Sequence, residues 1–582
     1  MAYQKDFPSE NNLTTYFAHH RWVILLLILL LAAFLRLFKL GQISPPGLNQ
    51  DEAANAWSSY CLLKTGKDYA GVSWPVFYLR NVGGNSSSLY VYMLLPCQAL
   101  AGLNVYTTRL PAALAAIFNV WLIYFCARRL FNLPTALAAA ALLAIDPWDI
   151  QHSRWGHDAS VTPFLSLLPL ALMLWANLPI CENKTSVSPR PVIAAVAGIL
   201  SGIVCYGYYA VRLFVPVFIL LAVLFTLRHW RQTLKTKRGL LTVVVFFVAF
   251  TASYGPLFWH HIFHPEGIAR HLSFSPDRID TVPFAEAIKN TATRYVQHFG
   301  PHFLFIEGDT HPVLSPPRIG QFYWYMLPLM LAGLISLIWR FKSSLSAKVV
   351  VASILAYPVG DCLIWDGNLS ILRSAPGLCG LLLLAAVGAI DAFRWLWSKN
   401  HNAALATTAV FGIVVIAFNV WYLNYFFGEF NRRPDVYHLF HTDLVKACEW
   451  LRPGFNDYDI VFCTTSDLNM PYVVSAVVLG YDPKLWFSQP RDFVTIDEWD
   501  YYTRYGKMHF LYDYSNFSIA ELQKKFAPGR MLLILRPDEY AMLVEREKLQ
   551  KPNEFKLENP AENIVHRIYR PDGSEVLWLC RF

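Results

Sequence analysis

Asp51 and Glu52 stand side by side in the run ISPPGLNQDEAANAWSSY, shortly after an apolar stretch that ends near Leu40. A carboxylate there sits at a water interface, where it can take a proton from a hydroxyl as that hydroxyl becomes a nucleophile. Without its surroundings, such a pair is more often the cap of an interfacial helix than a catalytic group. Four arginines, Arg80, Arg154, Arg318 and Arg373, are the cations that could neutralise a phosphate. For Arg373, near a span end, the plain alternative is snorkelling to the interface. His157 and Asp158 in HSRWGHDAS could complete a site or bind a divalent ion, the alternative being a hydrogen-bonded loop pair. The turn at Gly308 and Asp309 in FIEGDTH reads as structural. The ten Cys form no CxxC pair and no zinc spacing, which argues against structural zinc. Cys61 with Cys97, and Cys463 with Cys580, are pairings that an oxidising face would allow.

The elements that must position these groups are membrane helices. The chain is 55% hydrophobic and only 15% charged, outside the range of ordinary globular proteins. RWVILLLILLLAAFLRLF is long enough to cross a hydrocarbon core, and no small-residue cleavage site follows, so it reads as an anchor that stays. Further apolar spans near 106–128, 134–147, 161–180, 191–208, 211–227, 239–260, 320–339, 349–366, 372–392 and 402–426 bring the expected count to about eleven. The loop RHWRQTLKTKR, the cluster RFKSSLSAK and the pair Arg128-Arg129 mark the cytoplasmic side, and His19, His20 and Arg21 put the N-terminus there too. Residues 88–103 then cannot cross without reversing one basic end, so they are expected to form a helix lying on the outer surface. Parity places residues 41–104, 148–160, 261–319 and everything after about 427 on the non-cytoplasmic face. Asp51, Glu52, His157, Asp158 and Asp309 all belong to that face.

From about residue 427 charged and turn residues rise, and β-rich runs (DIVFC, MHFLYDY, RMLLILRP, VLWLCRF) alternate with amphipathic stretches such as SIAELQKKF. PDG at 571–573 reads as a hairpin turn. The expected organisation is therefore a mainly α, polytopic membrane region over 1–426, whose outer loops 41–104 and 261–319 form the site face. A soluble, extracytoplasmic α/β domain over 427–582 follows it. The net charge of +8 is explained by cytoplasmic loops facing anionic lipid, and no interleaved basic and aromatic patch points to nucleic acid.

The runs GLNQDEAANAWSSYCLLKTGKD, LYVYMLLP, TTRLPAALAAIFN and AIDPWDIQHSRWGHDAS resemble the bacterial branch of the protein O-mannosyltransferase and lipid A aminoarabinose transferase superfamily, membrane glycosyltransferases of the GT-C fold. FLFIEGDTHPVLSPPRIGQFYWYMLPLMLAGL and ILRSAPGLCGLLLLAAVG are similar to further segments, so the likeness covers most of residues 20–395. The resemblance implies transfer of a sugar from a polyprenyl-phosphate donor to a protein, lipid or glycan acceptor, with inversion, on the outer face of the plasma membrane. It implies Asp51 as the base, Glu52 as the group holding the loop or the acceptor, and Arg373 near the lipid phosphate. His157 and Asp158 stand where relatives carry an acidic residue. Where some relatives place charged residues before the second surface helix, this chain has GGNSSS, which weighs against a metal site built like theirs.

Two other classes compete with this reading. A transporter or flippase would place ionisable groups inside its spans and often shows repeated halves. Here the spans are nearly free of charge and the acids crowd the outer loops. A non-catalytic relative serving as an assembly subunit is the third reading, and the presence of Asp51 weighs against it.

Overall fold

The computed structural model describes residues 10–81, 84–180, 188–264, 282–311, 313–315, 319–363, 369–496, 499–515, 517–551, 555 and 560–582. Among these, eight helices are long and apolar enough to cross a bilayer: His19–Leu37, Val105–Leu130, Asp158–Trp175, Tyr209–Thr233, Lys237–Phe263, Leu345–Cys362, Ala375–Lys399 and His401–Arg432. Four shorter apolar helices accompany them, at Ser88–Ala101, Leu133–Ala144, Pro191–Tyr206 and Met326–Arg340. Trp22 and Leu27 are 60% exposed, Ile413 66% and Ile416 64%, an apolar surface that lipid accepts and water does not. The protein is a multi-pass membrane protein. Within the span Leu345–Cys362, which meets the expected span over 349–366, the α-helix is interrupted at Tyr357 and Pro358. Proline there removes a backbone donor and crowds the preceding turn.

The chain forms two compact units. The first comprises Met1–Phe38, Ser87–Leu89 and Ala112–Leu423; the second comprises Lys39–Ser86, Tyr90–Pro111 and Asn424–Phe582. Helices in the first unit approach closely through small residues, as membrane helices without a hydrophobic driving force between them must. A Cβ on Gly333 would lie 2.0 Å from the Leu384 carbonyl oxygen, and one on Gly388 would lie 1.9 Å from that of Leu329. Any side chain at either position would force the helices Met326–Arg340 and Leu378–Lys399 apart.

In the second unit a short hairpin, β1 (Leu79–Asn81) and β2 (Gly84–Ser86), lies in the first loop. The large sheet has seven strands: β3 (Ile460–Thr464), β4 (Arg491–Ile496), β5 (Trp499–Tyr505), β6 (Met508–Leu511), β7 (Met531–Leu535), β8 (Ile564–Tyr569) and β9 (Glu575–Arg581). Their order is β4-β5-β6-β3-β7-β9-β8, with β3 parallel to both β6 and β7 and the other pairs antiparallel. The runs singled out in the sequence become β3, β6, β7 and β9. The PDG segment turns between β8 and β9, with Gly573 at φ 85°.

β3 and β7 are buried along their whole length, so both faces are apolar, as expected of strands covered on two sides. Val461, Cys463, Leu532 and Ile534 face one core, which includes helices Thr442–Leu451 and Pro471–Leu479. Ile460, Phe462, Leu533 and Leu535 face the other, under Pro537–Gln550. The first core also takes in Leu48, Ala53, Ala54, Ala56, Trp57 and Cys61. The helix that follows Asp51 in the first outer loop is thus built into the same hydrophobic core as the C-terminal sheet.

Neither pairing that an oxidising face would allow is formed: Cys61, Cys97, Cys463 and Cys580 all carry free thiols. For Cys463 and Cys580 the reason is the strand order. β7 lies between β3 and β9, which separates them by two strand spacings, about 9.5 Å, and a bridge tolerates about 7 Å between Cα atoms. Their side chains also enter opposite cores.

Candidate active site

Asp51 opens the helix Gln50–Thr65, and the sequence around it explains why a helix starts there. Asn49 is the N-cap; its side-chain oxygen accepts from the Asp51 amide at 2.9 Å. Glu52, at the third helical position, accepts from the Asn49 amide at 3.1 Å and completes a capping box. Asp51 and Glu52 then diverge, because adjacent helical residues point about 100° apart. The Asp51 side chain is half-buried in the first turn, while Glu52 is wholly buried.

Glu52 meets Arg109 in a two-pronged pair: Nε to Oε1 at 2.8 Å and a terminal nitrogen to Oε2 at 2.9 Å, with neither side chain exposed. The same guanidinium donates to the Pro45 carbonyl at 2.7 Å and to that of Gly47 at 2.8 Å. The approach to Asp51 is held from a second side. The Leu48 amide donates to the Phe440 carbonyl at 2.6 Å, and Asn49 Nδ2 donates to that of Leu439 at 2.9 Å. Gly47 has φ +72°, and a Cβ there would lie 2.2 Å from the Phe440 oxygen. Only glycine fits. Further along, Trp57 meets Trp486 edge to face at 5.5 Å, and Trp486 Nε1 donates to the Tyr69 carbonyl at 2.9 Å.

In the first unit, Asp158 Oδ2 accepts from the Ser87 amide at 3.2 Å and from its hydroxyl at 2.6 Å, while His157 Nδ1 lies 3.0 Å from Asp158 Oδ1. The His157 ring meets Tyr208 edge to face at 6.0 Å, and the Tyr208 hydroxyl donates to that of Tyr209 at 2.8 Å. Tyr209 is in turn hydrogen-bonded to Arg373. The structure therefore gathers His157, Asp158 and Arg373 around a tyrosine pair. The sequence reading passed over that pair, whose only signal is the polar-aromatic run YGYYAVR at a span edge.

Arg373 itself is 7% exposed and donates from Nε to Asp361 Oδ1 at 2.5 Å. Asp309, noted above only as part of a turn, also stands near Arg373. Its carboxylate accepts from the amides of Ile371 at 3.0 Å and His311 at 2.9 Å, and burial raises its pKa from its ordinary value. Gly308 before it has φ +71°, so the turn is built for glycine.

The other expectations meet different fates. Arg154 is fully buried and donates to the carbonyls of Leu35 at 3.2 Å, Arg36 at 3.0 Å and Phe38 at 2.9 Å. It closes the C-terminal end of the first helix, whose last carbonyls lack partners of their own. A guanidinium so placed is set aside as a phosphate partner. Arg80 stands in β1 opposite Asn85, and Arg318 lies outside the described residues. Among the described residues no three His, Cys, Asp or Glu stand together as a metal set. His157 and Asp158 supply two donors, and Asp158 already accepts from Ser87, so the divalent ion anticipated there does not fit these residues.

Residues 88–254 match the family described as dolichyl-phosphate-mannose-protein mannosyltransferase. A curated relative, the undecaprenyl phosphate-alpha-4-amino-4-deoxy-L-arabinose arabinosyl transferase 1 of Pseudomonas fluorescens (strain Pf0-1), is 30% identical over 192 residues, which is 31% of this chain. The chain spans about a third of that relative's length in this alignment, 32%. Among solved structures, ArnT from Cupriavidus metallidurans bound to undecaprenyl phosphate superposes with a TM-score of 0.50 at 14% identity, over 96% of this chain and 98% of that one. A fainter likeness, with a TM-score of 0.45 at 12% identity over 97% and 74% of the two chains, extends to the oligosaccharyltransferase of Archaeoglobus fulgidus. The chain is a membrane protein whose fold is similar to that of the solved ArnT structure, and its residues 88–254 match the mannosyltransferase family.

Proposed function

We propose that this protein is an inverting glycosyltransferase that moves a sugar from a polyprenyl-phosphate-linked donor to a hydroxyl or phosphate of a protein, lipid or glycan acceptor. The observation that carries the reading is the setting of Asp51. It is a half-buried carboxylate in the first turn of a helix whose capping box and buried Glu52–Arg109 pair leave the loop little freedom. Asp51 takes the proton of the acceptor hydroxyl as its oxygen bonds to the anomeric carbon. The bond from that carbon to the donor phosphate breaks on the opposite face, and Arg373 meets the charge left on the departing polyprenyl phosphate. Glu52 acts through the loop rather than on the substrate. Comparing glycoproteins and envelope lipids by mass spectrometry, with and without the protein, tests the reading. Loss of one sugar from one acceptor class is expected, and unchanged profiles in every class count against it.

In this reading residues 1–426 are the catalytic membrane region and 427–582 an extracytoplasmic domain of the plasma membrane protein, with the N-terminus cytoplasmic. A single cysteine placed at Ser515 should react with an impermeant thiol reagent in cells stripped of any outer barrier. One placed at Thr236 should react only after permeabilisation. The reverse pattern would invert the topology.

A further inference from the structure

Asp361 and His298 have no part in the chemistry described so far, yet they form the most deeply buried charged cluster touching Arg373. Asp361 is 1% exposed and His298 is not exposed at all. Asp361 divides its two oxygens. Oδ1 accepts from Arg373 Nε at 2.5 Å, whereas Oδ2 lies 2.8 Å from His298 Nε2 and accepts from the Ser370 amide at 2.7 Å. The His298 ring is fixed in turn: Nδ1 is 2.7 Å from the Arg294 carbonyl, which can only accept, so Nδ1 carries the hydrogen. Phe303 and Tyr357 meet the ring edge to face at 5.5 and 5.6 Å, and the Tyr357 hydroxyl donates to the His298 carbonyl at 2.7 Å. Arg294, through Nε at 3.2 Å and a terminal nitrogen at 3.1 Å, holds the Cys362 carbonyl one residue beyond Asp361.

We infer that Asp361, oriented by His298, is the positioning residue for Arg373. Here the second carboxylate oxygen is held by His298 and by the backbone of Ser370, and the first oxygen meets the guanidinium at Nε. The grip therefore sets the plane of the guanidinium and the direction in which its terminal nitrogens are presented. Asp309 reinforces the arrangement by holding the Ile371 amide, two residues before Arg373. A preset cation is worth more to a developing phosphate charge than one that must be ordered during reaction. This inference rests on Arg373 being the donor-phosphate group.

The test is a double-mutant cycle read as the affinity of the detergent-solubilised full chain for undecaprenyl phosphate, measured by native mass spectrometry. Arg373→Lys keeps the charge and loses the planar fork, and should weaken binding about ten-fold or more. Asp361→Asn should weaken it about five- to twenty-fold in the wild-type background and add little on top of Arg373→Lys, because it acts through the guanidinium. His298→Gln, which can still donate to Asp361, should lose less than His298→Ala. If Arg373→Lys and Arg373→Ala both bind like wild type, the reading of Arg373 fails. If they are impaired while Asp361→Asn and His298→Ala bind normally, or if the Asp361→Asn loss simply adds to that of Arg373→Lys, the positioning role fails. If neither Asp361→Asn nor His298→Gln yields monodisperse protein, the cluster is a folding element and the inference is overturned.

Discussion

Replacing Asp51 with Asn should lower turnover by roughly a hundred-fold or more, while the protein folds, binds the proposed polyprenyl-phosphate donor and melts like wild type. The expectation follows from where the residue stands. Asp51 contributes its backbone amide to the Asn49 cap, and Asn supplies the same amide, so the start of the helix is retained. Its side chain is half-buried, whereas Glu52, Arg109 and Asn49 beside it are wholly buried. What Asn lacks is a proton acceptor. Hydroxyl acceptors feel this most, because a neutral hydroxyl is a poor nucleophile until its proton has somewhere to go. The measurement is single-turnover transfer from a polyprenyl-phosphate sugar at saturating acceptor, alongside thermal unfolding. Near wild-type transfer by folded Asp51→Asn would remove Asp51 from the chemistry. A parallel fall in melting temperature would recast it as a structural residue.

The parts of this fold that were legible in the sequence are those encoded locally. Spans announce themselves by apolar length, and β3, β6, β7 and β9 by short apolar runs bounded by turn residues. The acidic pair at 51 and 52 was legible as a pattern, two carboxylates just past a span, because that pattern is local. The surroundings of Asp51 were not. Arg109 is fifty-seven residues from Glu52, and Phe440 lies several hundred residues further along the chain. The helix Gln50–Thr65 reads as weakly apolar because its core side is made of Ala53, Ala54 and Ala56, residues equally at home in water. Only Trp57 hints that one side is buried against Trp486. Arg154 misled for a related reason. An arginine on an outer loop looks available until the fold shows that three carbonyls at the end of another helix already hold it. His298 and Asp361 escaped notice because each looks unremarkable alone; their meaning comes from the distances to Arg373.

Glu52→Ala should fail in the opposite way to Asp51→Asn, losing the fold before the chemistry. Removing the carboxylate leaves Arg109 charged and fully buried, with two backbone carbonyls as its remaining partners. Breaking a buried ion pair by deleting one member costs about 3–5 kcal/mol, because the desolvated survivor is no longer compensated. The capping-box bond to the Asn49 amide goes with it, which adds about 1 kcal/mol. A loss of that size is a large fraction of the stability of a typical domain. We expect Glu52→Ala to lower the melting temperature sharply and to raise hydrogen exchange over residues 44–56, and Glu52→Gln to do the same less severely, since Gln can still accept at the cap. Pairing Glu52→Leu with Arg109→Met removes both charges together. It should restore part of the stability but not all, because the Pro45 and Gly47 carbonyls would still lack their donor. Should Glu52→Ala keep wild-type stability and exchange while losing transfer, Glu52 would have to be touching the acceptor, and the distinction drawn here between a base at position 51 and a clamp at position 52 would be wrong.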